Sequence, residues 1–186
     1  MATYKIDPAH SEVTFKVRHL MISNVTGNFS KFDAIMTCDD NDDFTNASVK
    51  FEADVNSVST NQEQRDKHLL TDDFFNAEQY PQITFKSTSV EKKGDDEYVL
   101  HGDLTIRDVT KNIALDVTYT GKIVDPWGQE KHGFEISGKI SRKEFGLKWN
   151  ALTETGGIVV SDEVRLHVNV QMVKQAVAQP AHEETV

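Results

Sequence analysis

Apolar side chains recur at every second position through most of this chain. Within 11–19, Val13, Phe15, Val17 and His19 fall on one face, and Glu12, Thr14, Lys16 and Arg18 on the other. The alternation returns at Ala47, Val49, Phe51, Ala53 and Val55, at Tyr98, Leu100, Gly102, Leu104 and Ile106, and at Ile113, Leu115, Val117 and Tyr119. It returns again at His132, Phe134, Ile136, Gly138 and Ile140, and at Val164, Leu166, Val168, Val170 and Met172. Successive side chains of a strand point to opposite faces, so the pattern predicts half-buried antiparallel strands. Shorter strands are predicted at Tyr4–Ile6, Val25–Phe29, Phe32–Thr37 and Gln82–Val90.

Turn residues punctuate these runs at 39–43, 93–96, 125–128 and Gly156-Gly157. Ile106-Arg107-Asp108-Val109 has the length of a tight hairpin, with Asp108 able to take a left-handed backbone. About eight to ten short strands with regular turns predict a sandwich or a closed barrel. One segment departs from the alternation. Residues 59–70 read as a short helix, with Thr60 and Glu63 at capping-box spacing, and Ser59 and Gln62 one residue earlier. It is polar until Leu69 and Leu70, and Phe74 and Phe75 follow. The segment 61–75 therefore reads as a lid anchored at its C-terminal end.

The chain has 186 residues, about one domain. Residues 1–173 carry the strand pattern, and 174–186 have the composition of a disordered tail. With 20 Lys and Arg against 30 Asp and Glu, the net charge is −10, which argues against nucleic-acid binding and against docking on an anionic membrane surface. No apolar run reaches the ~18 residues of a membrane-spanning helix, so stable membrane insertion is not expected. The start lacks an apolar signal core, which points to the cytoplasm, or to the periplasm if the chain is a processed mature form. One cysteine, Cys38, excludes an intrachain disulfide and a cysteine-rich zinc site.

The acidic run 39–43 has part of a calcium-loop phase, but Phe44 and Lys50 stand where that loop needs Gly and Glu. The seven His show no metal-ligand spacing, and no cofactor motif is present. No catalytic residue is assigned, since no nucleophile motif occurs and His10 and Ser11 point to opposite faces. His19 and His132 lie on apolar strand faces. Each is either a core-edge His bonded to a carbonyl or a polar group inside a cavity. Arg65 and His68 share a helix face, and Arg142, Lys143 and Lys148 follow a predicted strand; these are either solvated charges or the mouth of a pocket for a polar head group.

Several stretches taken together are similar to one family. They are Asp7-Pro8-Ala9-His10-Ser11-Glu12-Val13 followed by Phe15, Val17 and His19, then 65–70, then Asp73-Phe74-Phe75-Asn76-Ala77 and Tyr80-Pro81-Gln82-Ile83-Thr84-Phe85. Gly102-Asp103-Leu104-Thr105-Ile106, Val109-Thr110-Lys111, Ser141-Arg142-Lys143-Glu144-Phe145-Gly146 and Asp162-Glu163-Val164 follow in the same order. This chain resembles the YceI-like family of lipocalin-like, polyisoprenoid-binding proteins. It departs at Asp108 and Asn112, where the family often has Gly and Pro.

The resemblance implies an all-β fold, an extended antiparallel lipocalin-like barrel of about eight strands with one short helical lid. It implies a carrier or sequestering protein for a long-chain isoprenoid, polyprenyl or quinone-like, with a fatty-acid-like amphiphile as the alternative. Phe15, Val17, Phe29, Phe51, Phe74, Phe75, Phe85, Leu104, Phe134 and Ile136 are the expected lining. His19, Arg65, His68 and Arg142 are the expected polar end. An enzyme with His19 or His68 as general base, and a ligand-free stress-related interaction protein, are the competing readings. An exposed edge strand and the related barrels point to a homodimer.

Overall fold

The computed structural model describes residues 1–39, 41, 43–150 and 160–176. Among them, eleven strands form one antiparallel sheet. They are β1 (Ala2–Ile6), β2 (Glu12–His19), β3 (Ser23–Phe29), β4 (Phe32–Cys38), β5 (Ser48–Asp54), β6 (Val58–Ser59), β7 (Gln82–Gly94), β8 (Glu97–Ile106), β9 (Val109–Val124), β10 (Glu130–Ser141) and β11 (Val160–Lys174). One α-helix, α1 (Glu63–Leu69), lies between β6 and β7. The order β1-β4-β5-β7-β8-β9-β10-β11 returns to β1 through a β1–β11 ladder, so eight strands close a barrel. No described helix is long and apolar enough to cross a membrane.

The other three strands prolong members of that ring past kinks. β2 continues β1 beyond a 3-10 turn at Pro8–His10 and pairs the same edge of β11. β3 leads into β4 across Ser30-Lys31, and β6 continues β5 beyond a 3-10 turn at Val55–Ser57. An aspartate sits at two of these kinks. The Asp7 carboxylate accepts from Ala9 N at 3.1 Å, and that of Asp54 from Asn56 N at 2.9 Å. Closure removes most exposed edges. Among the described residues β6 pairs only with Asn28 and Phe29, and no strand pairs Ser23–Gly27 on the side of β3 away from β2.

Three local expectations change. The helix does not carry the expected capping boxes: Gln62 is its N-cap residue and makes no side-chain cap bond. Asp66 instead accepts from both Thr60 N at 2.8 Å and Thr60 Oγ1 at 2.5 Å, tying the chain before the helix to its first turn. In the Ile106–Val109 hairpin the left-handed residue is Arg107 (φ 55°), and Asp108 has no such conformation. β11 runs through Lys174, and Gln175 N donates to Thr3 O at 2.8 Å, so order extends past residue 173. Residues 177–186, the Gly156-Gly157 turn, and residues 40 and 42 of the acidic turn lie outside the described residues.

Inward glycines shape the wall. A Cβ at Gly27 would stand 2.2 Å from Phe15 Cζ, and one at Gly102 would stand 2.3 Å from Phe85 Cζ and 2.7 Å from Lys86 O. Each ring therefore lies over the bare backbone of the neighbouring strand, leaving the barrel axis open. The two positions separate in their consequences. In Gly27→Ala the Phe15 ring can swing away, so we expect a folded protein with a smaller cavity. In Gly102→Ala the carbonyl cannot retreat, so we expect a loss of about 1–3 kcal/mol in urea unfolding. Equal stability of the two variants would refute this account of the wall.

Candidate functional site

The inward faces enclose a cavity of about 550 Å³. All fourteen residues singled out from the sequence stand on it. Phe15 and Val17 come from β2, Phe29 from β3, Phe51 from β5, Phe85 from β7, Leu104 from β8, and Phe134 and Ile136 from β10. Phe74 and Phe75 reach it from the segment after α1; His19, Arg65, His68 and Arg142 supply polar groups. Three further lining residues are solvent-exposed, namely Arg18, Gln62 and Gln64, and they mark an opening between the end of β2 and the start of α1.

The opposite end is closed by aromatic packing that alternation did not reveal. Phe44, only 3% exposed, sits in a 3-10 turn after the acidic run. Its ring meets those of Tyr98 (5.9 Å), Tyr119 (5.0 Å), His132 (5.9 Å) and Phe134 (5.1 Å), mostly edge-on. Aromatic edges and faces attract, so this cluster makes a firm floor. His132 lies behind it, fully buried, with Nδ1 2.8 Å from the Tyr119 hydroxyl. It is thus a core histidine bonded to a hydroxyl, not to a carbonyl, and it does not line the cavity.

At the open end much of the polar chemistry is structural. Arg142 is 3% exposed and donates to Ser161 O (2.8 Å), Leu147 O (2.6 Å), Trp149 O (2.8 Å) and Val160 O (3.1 Å). Four of its five N–H groups are therefore committed to backbone carbonyls. Its expected role as a head-group donor gives way to that of a brace holding 147–149 against 160–161. Burial lowers the Arg142 pKa, with the Asp162 charge opposing. Arg65 differs. Nε donates to Thr60 Oγ1 at 2.7 Å and Nη2 to Thr60 O at 2.8 Å, while Nη1 has no acceptor among the described residues. Thr60, 5% exposed, thereby orients a guanidinium that keeps donors for a ligand. His68 pairs through Nε2 with Asp73 Oδ2 at 2.8 Å, and its ring packs edge-on against Phe74 and Trp149.

Arg107, which no sequence pattern singled out, clamps the lid. Its Nη1 donates to Asp72 O (2.8 Å) and Phe74 O (3.0 Å), and its Nη2 to Asp72 Oδ1 (2.7 Å). The tight hairpin at 106–109 points this arginine at the segment that positions Phe74 and Phe75. We expect Arg107→Ala to cost about 1.5–3 kcal/mol and to speed amide exchange across 71–77 selectively. Uniform exchange across the barrel would count against the clamp.

Asp162 fixes the other side of the rim. Burial raises its carboxyl pKa, but hydrogen bonds from Ser141 Oγ and Lys143 N, with the Lys143 and Arg142 charges, outweigh this and hold it below the usual value. A carboxylate depressed in the folded state contributes stability that is full above the unfolded value, about 3.9. That contribution is lost as pH falls through the folded value. We expect Asp162→Asn to lose stability near neutrality and to flatten the acid limb of the stability profile. An unchanged acid limb in chemical unfolding would contradict this.

A model of the YceI-like domain matches residues 4–172. Protein YceI of Escherichia coli is 42% identical over 176 residues, covering 94% of this chain and 88% of that protein. The Campylobacter jejuni YCEI crystal structure superposes with a TM-score of 0.73 at 34% identity, covering 86% of this chain and 90% of that one. Burkholderia cenocepacia BcnA superposes with a TM-score of 0.78 at 25% identity, covering 89% and 98%. A polyisoprenoid binding domain from Saccharophagus degradans shares the fold, with a TM-score of 0.63 at 16% identity over 94% and 98%. The closed ring, the helical lid and this near full-length match make the chain a member of the YceI-like domain family.

Proposed function

We propose that this barrel binds a long, flexible apolar chain of the isoprenoid class and carries or sequesters it in water. One observation carries the reading: the cavity is apolar along its length, and its polar side chains gather at the end marked by Arg18, His19, Gln62, Gln64, Arg65 and His68. Such a distribution suits an amphiphile that enters tail first. Burying each methylene contributes ~0.8 kcal/mol, so a tail of several isoprene units has ample drive to leave water. The membrane offers the same burial, so lid contacts such as those of Arg107 set how fast a chain is exchanged.

The fold shared with the Saccharophagus degradans polyisoprenoid binding domain supports this ligand class. The head group that fits best is neutral and polar, such as a quinone or an amide. A net charge of −10 disfavours a pyrophosphate, and Arg142 is occupied by carbonyls. Binding is favoured over catalysis because the His68–Asp73 pair stands at the mouth, away from the apolar interior where a tail would lie.

The test is native mass measurement on freshly purified protein, followed by solvent extraction. We expect a stoichiometric prenyl lipid. Phe134→Trp and Phe85→Trp should weaken its retention about tenfold by filling the cavity. A fatty-acid-like amphiphile in the extract would change the ligand class. Bare polypeptide that also takes up no added prenyl lipid would refute the reading.

A further inference from the structure

The β2–β3 turn presents three consecutive large apolar side chains to solvent: Leu20 is 41% exposed, Met21 56% and Ile22 87%. The turn runs from His19 to Ile22 and is closed by Ile22 N donating to His19 O at 3.3 Å. Its two central residues, Leu20 (φ 52°) and Met21 (φ 62°), are both left-handed. Asn-Gly suits such a turn; Leu and Met do not. Folding alone therefore gives no reason for these residues here, and apolar groups held out on an unfavourable backbone mark a functional element.

Its position and charge indicate what it meets. Arg18, just before the turn, and His19, its first residue, line the cavity, and Arg18 is one of the three exposed residues at the opening. Residues 13–32 contain Lys16, Arg18 and Lys31 but no Asp or Glu, in a chain with 30 acidic residues. A surface carrying phosphates over an apolar interior matches both features. The turn brings no carboxylate of its own to such a surface, its flanking cations would face phosphate, and the tip would enter hydrocarbon. The far end of the barrel is a contrast: Ile123, Val124 and Trp127 are also exposed, but Asp125 and Glu130 stand among them.

We propose that Leu20, Met21 and Ile22 form a membrane-contact tip that seats the barrel's mouth on a lipid bilayer. The inference rests on the carrier reading for its purpose, since a tail passing from bilayer to cavity at this contact need not cross water. The contact itself can be tested without any cargo. The whole-chain charge opposes an anionic surface, so the probe is a vesicle of phosphatidylcholine alone.

The experiment is flotation of the purified full chain with these vesicles, with no prenyl lipid added. We expect the wild type to float. The L20N/M21G/I22S variant should bind at least about tenfold more weakly while unfolding at the same or a higher temperature, because Asn-Gly fits the turn. Ile22→Ser alone, which leaves the backbone untouched, should lose part of the binding. Trp127→Ser, which removes a larger exposed side chain at the other end, should float like wild type. Three outcomes would overturn the proposal: a wild type that does not float, a triple variant that floats equally, or an equal loss in Trp127→Ser. A concentration-dependent dimer abolished by the triple variant, with no vesicle binding, would assign the tip and the β3 edge to a second copy instead. Cargo binding without flotation would refute this inference alone, and flotation without cargo binding would refute only the carrier reading.

Discussion

The barrel depends on a cavity that its own side chains leave open. Eight strands set a circumference, and inward residues normally fill the interior of a ring this size or leave room for one ligand. Here the inward faces are apolar, yet Phe15 and Phe85 lie flat over Gly27 and Gly102, and Leu115 approaches Gly138 as closely. Bulk is pressed against the wall, and the axis stays free. An apolar cavity stays dry, and its lining lacks contact partners on one side. A chain that fills it restores those contacts and stabilises the folded state by mass action. Binding and stability are therefore coupled through the same side chains.

That interior restricts where polar groups can stand. A polar atom on the wall would have no partner, so the charged and hydrogen-bonding side chains are driven to the two ends. At the floor, Tyr119 satisfies one nitrogen of His132 behind a shield of aromatic rings. At the mouth, three arginines do different work. Arg142 holds four carbonyls together, Arg107 holds the lid segment, and Arg65 is oriented by Thr60 with donors to spare. A guanidinium serves all three because its donors are fixed in a plane and its charge survives partial burial.

Period-two alternation made the wall legible in the sequence, because a strand between solvent and an apolar interior must alternate. Phe15, Phe51 and Phe134 stand in its alternating runs, while their place on a cavity, with that of Phe74 and Phe75, was an expectation from the family resemblance. What alternation could not convey was contact between segments distant in the chain. Phe44 follows an acidic turn with no periodic neighbours, so its place on the floor was invisible. Arg107 looked like a turn residue, and its value lies in carbonyls about 35 positions earlier. Arg142 looked like a rim cation, but burial and four carbonyl acceptors decide its role. Thr60 and Glu63 had capping-box spacing, yet Asp66 captured Thr60 instead because a carboxylate accepts both its N–H and its hydroxyl. The resemblance to a family supplied the closed ring that a strand count alone left open between barrel and sandwich.

The two ends of the molecule are unlike, and this gives it a direction. At the floor end, Lys131 lies between Asp7 (3.6 Å) and Asp125 (3.7 Å), and Lys122 and Lys174 flank Glu130 at 3.8 and 3.6 Å. Burial raises the Asp7 carboxyl, but hydrogen bonds from His10 and Ala9 with the His10 and Lys131 charges hold it below its usual value, so an ionised carboxylate faces Lys131 here. At the mouth end, polar side chains ring an apolar interior and an apolar turn projects beyond them. An amphiphile approaching the floor meets packed rings behind charged groups. One approaching the mouth meets polar groups that can hold its head while its tail enters. On the carrier reading proposed above, the orientation of a bound chain would follow from where the fold could leave polar atoms.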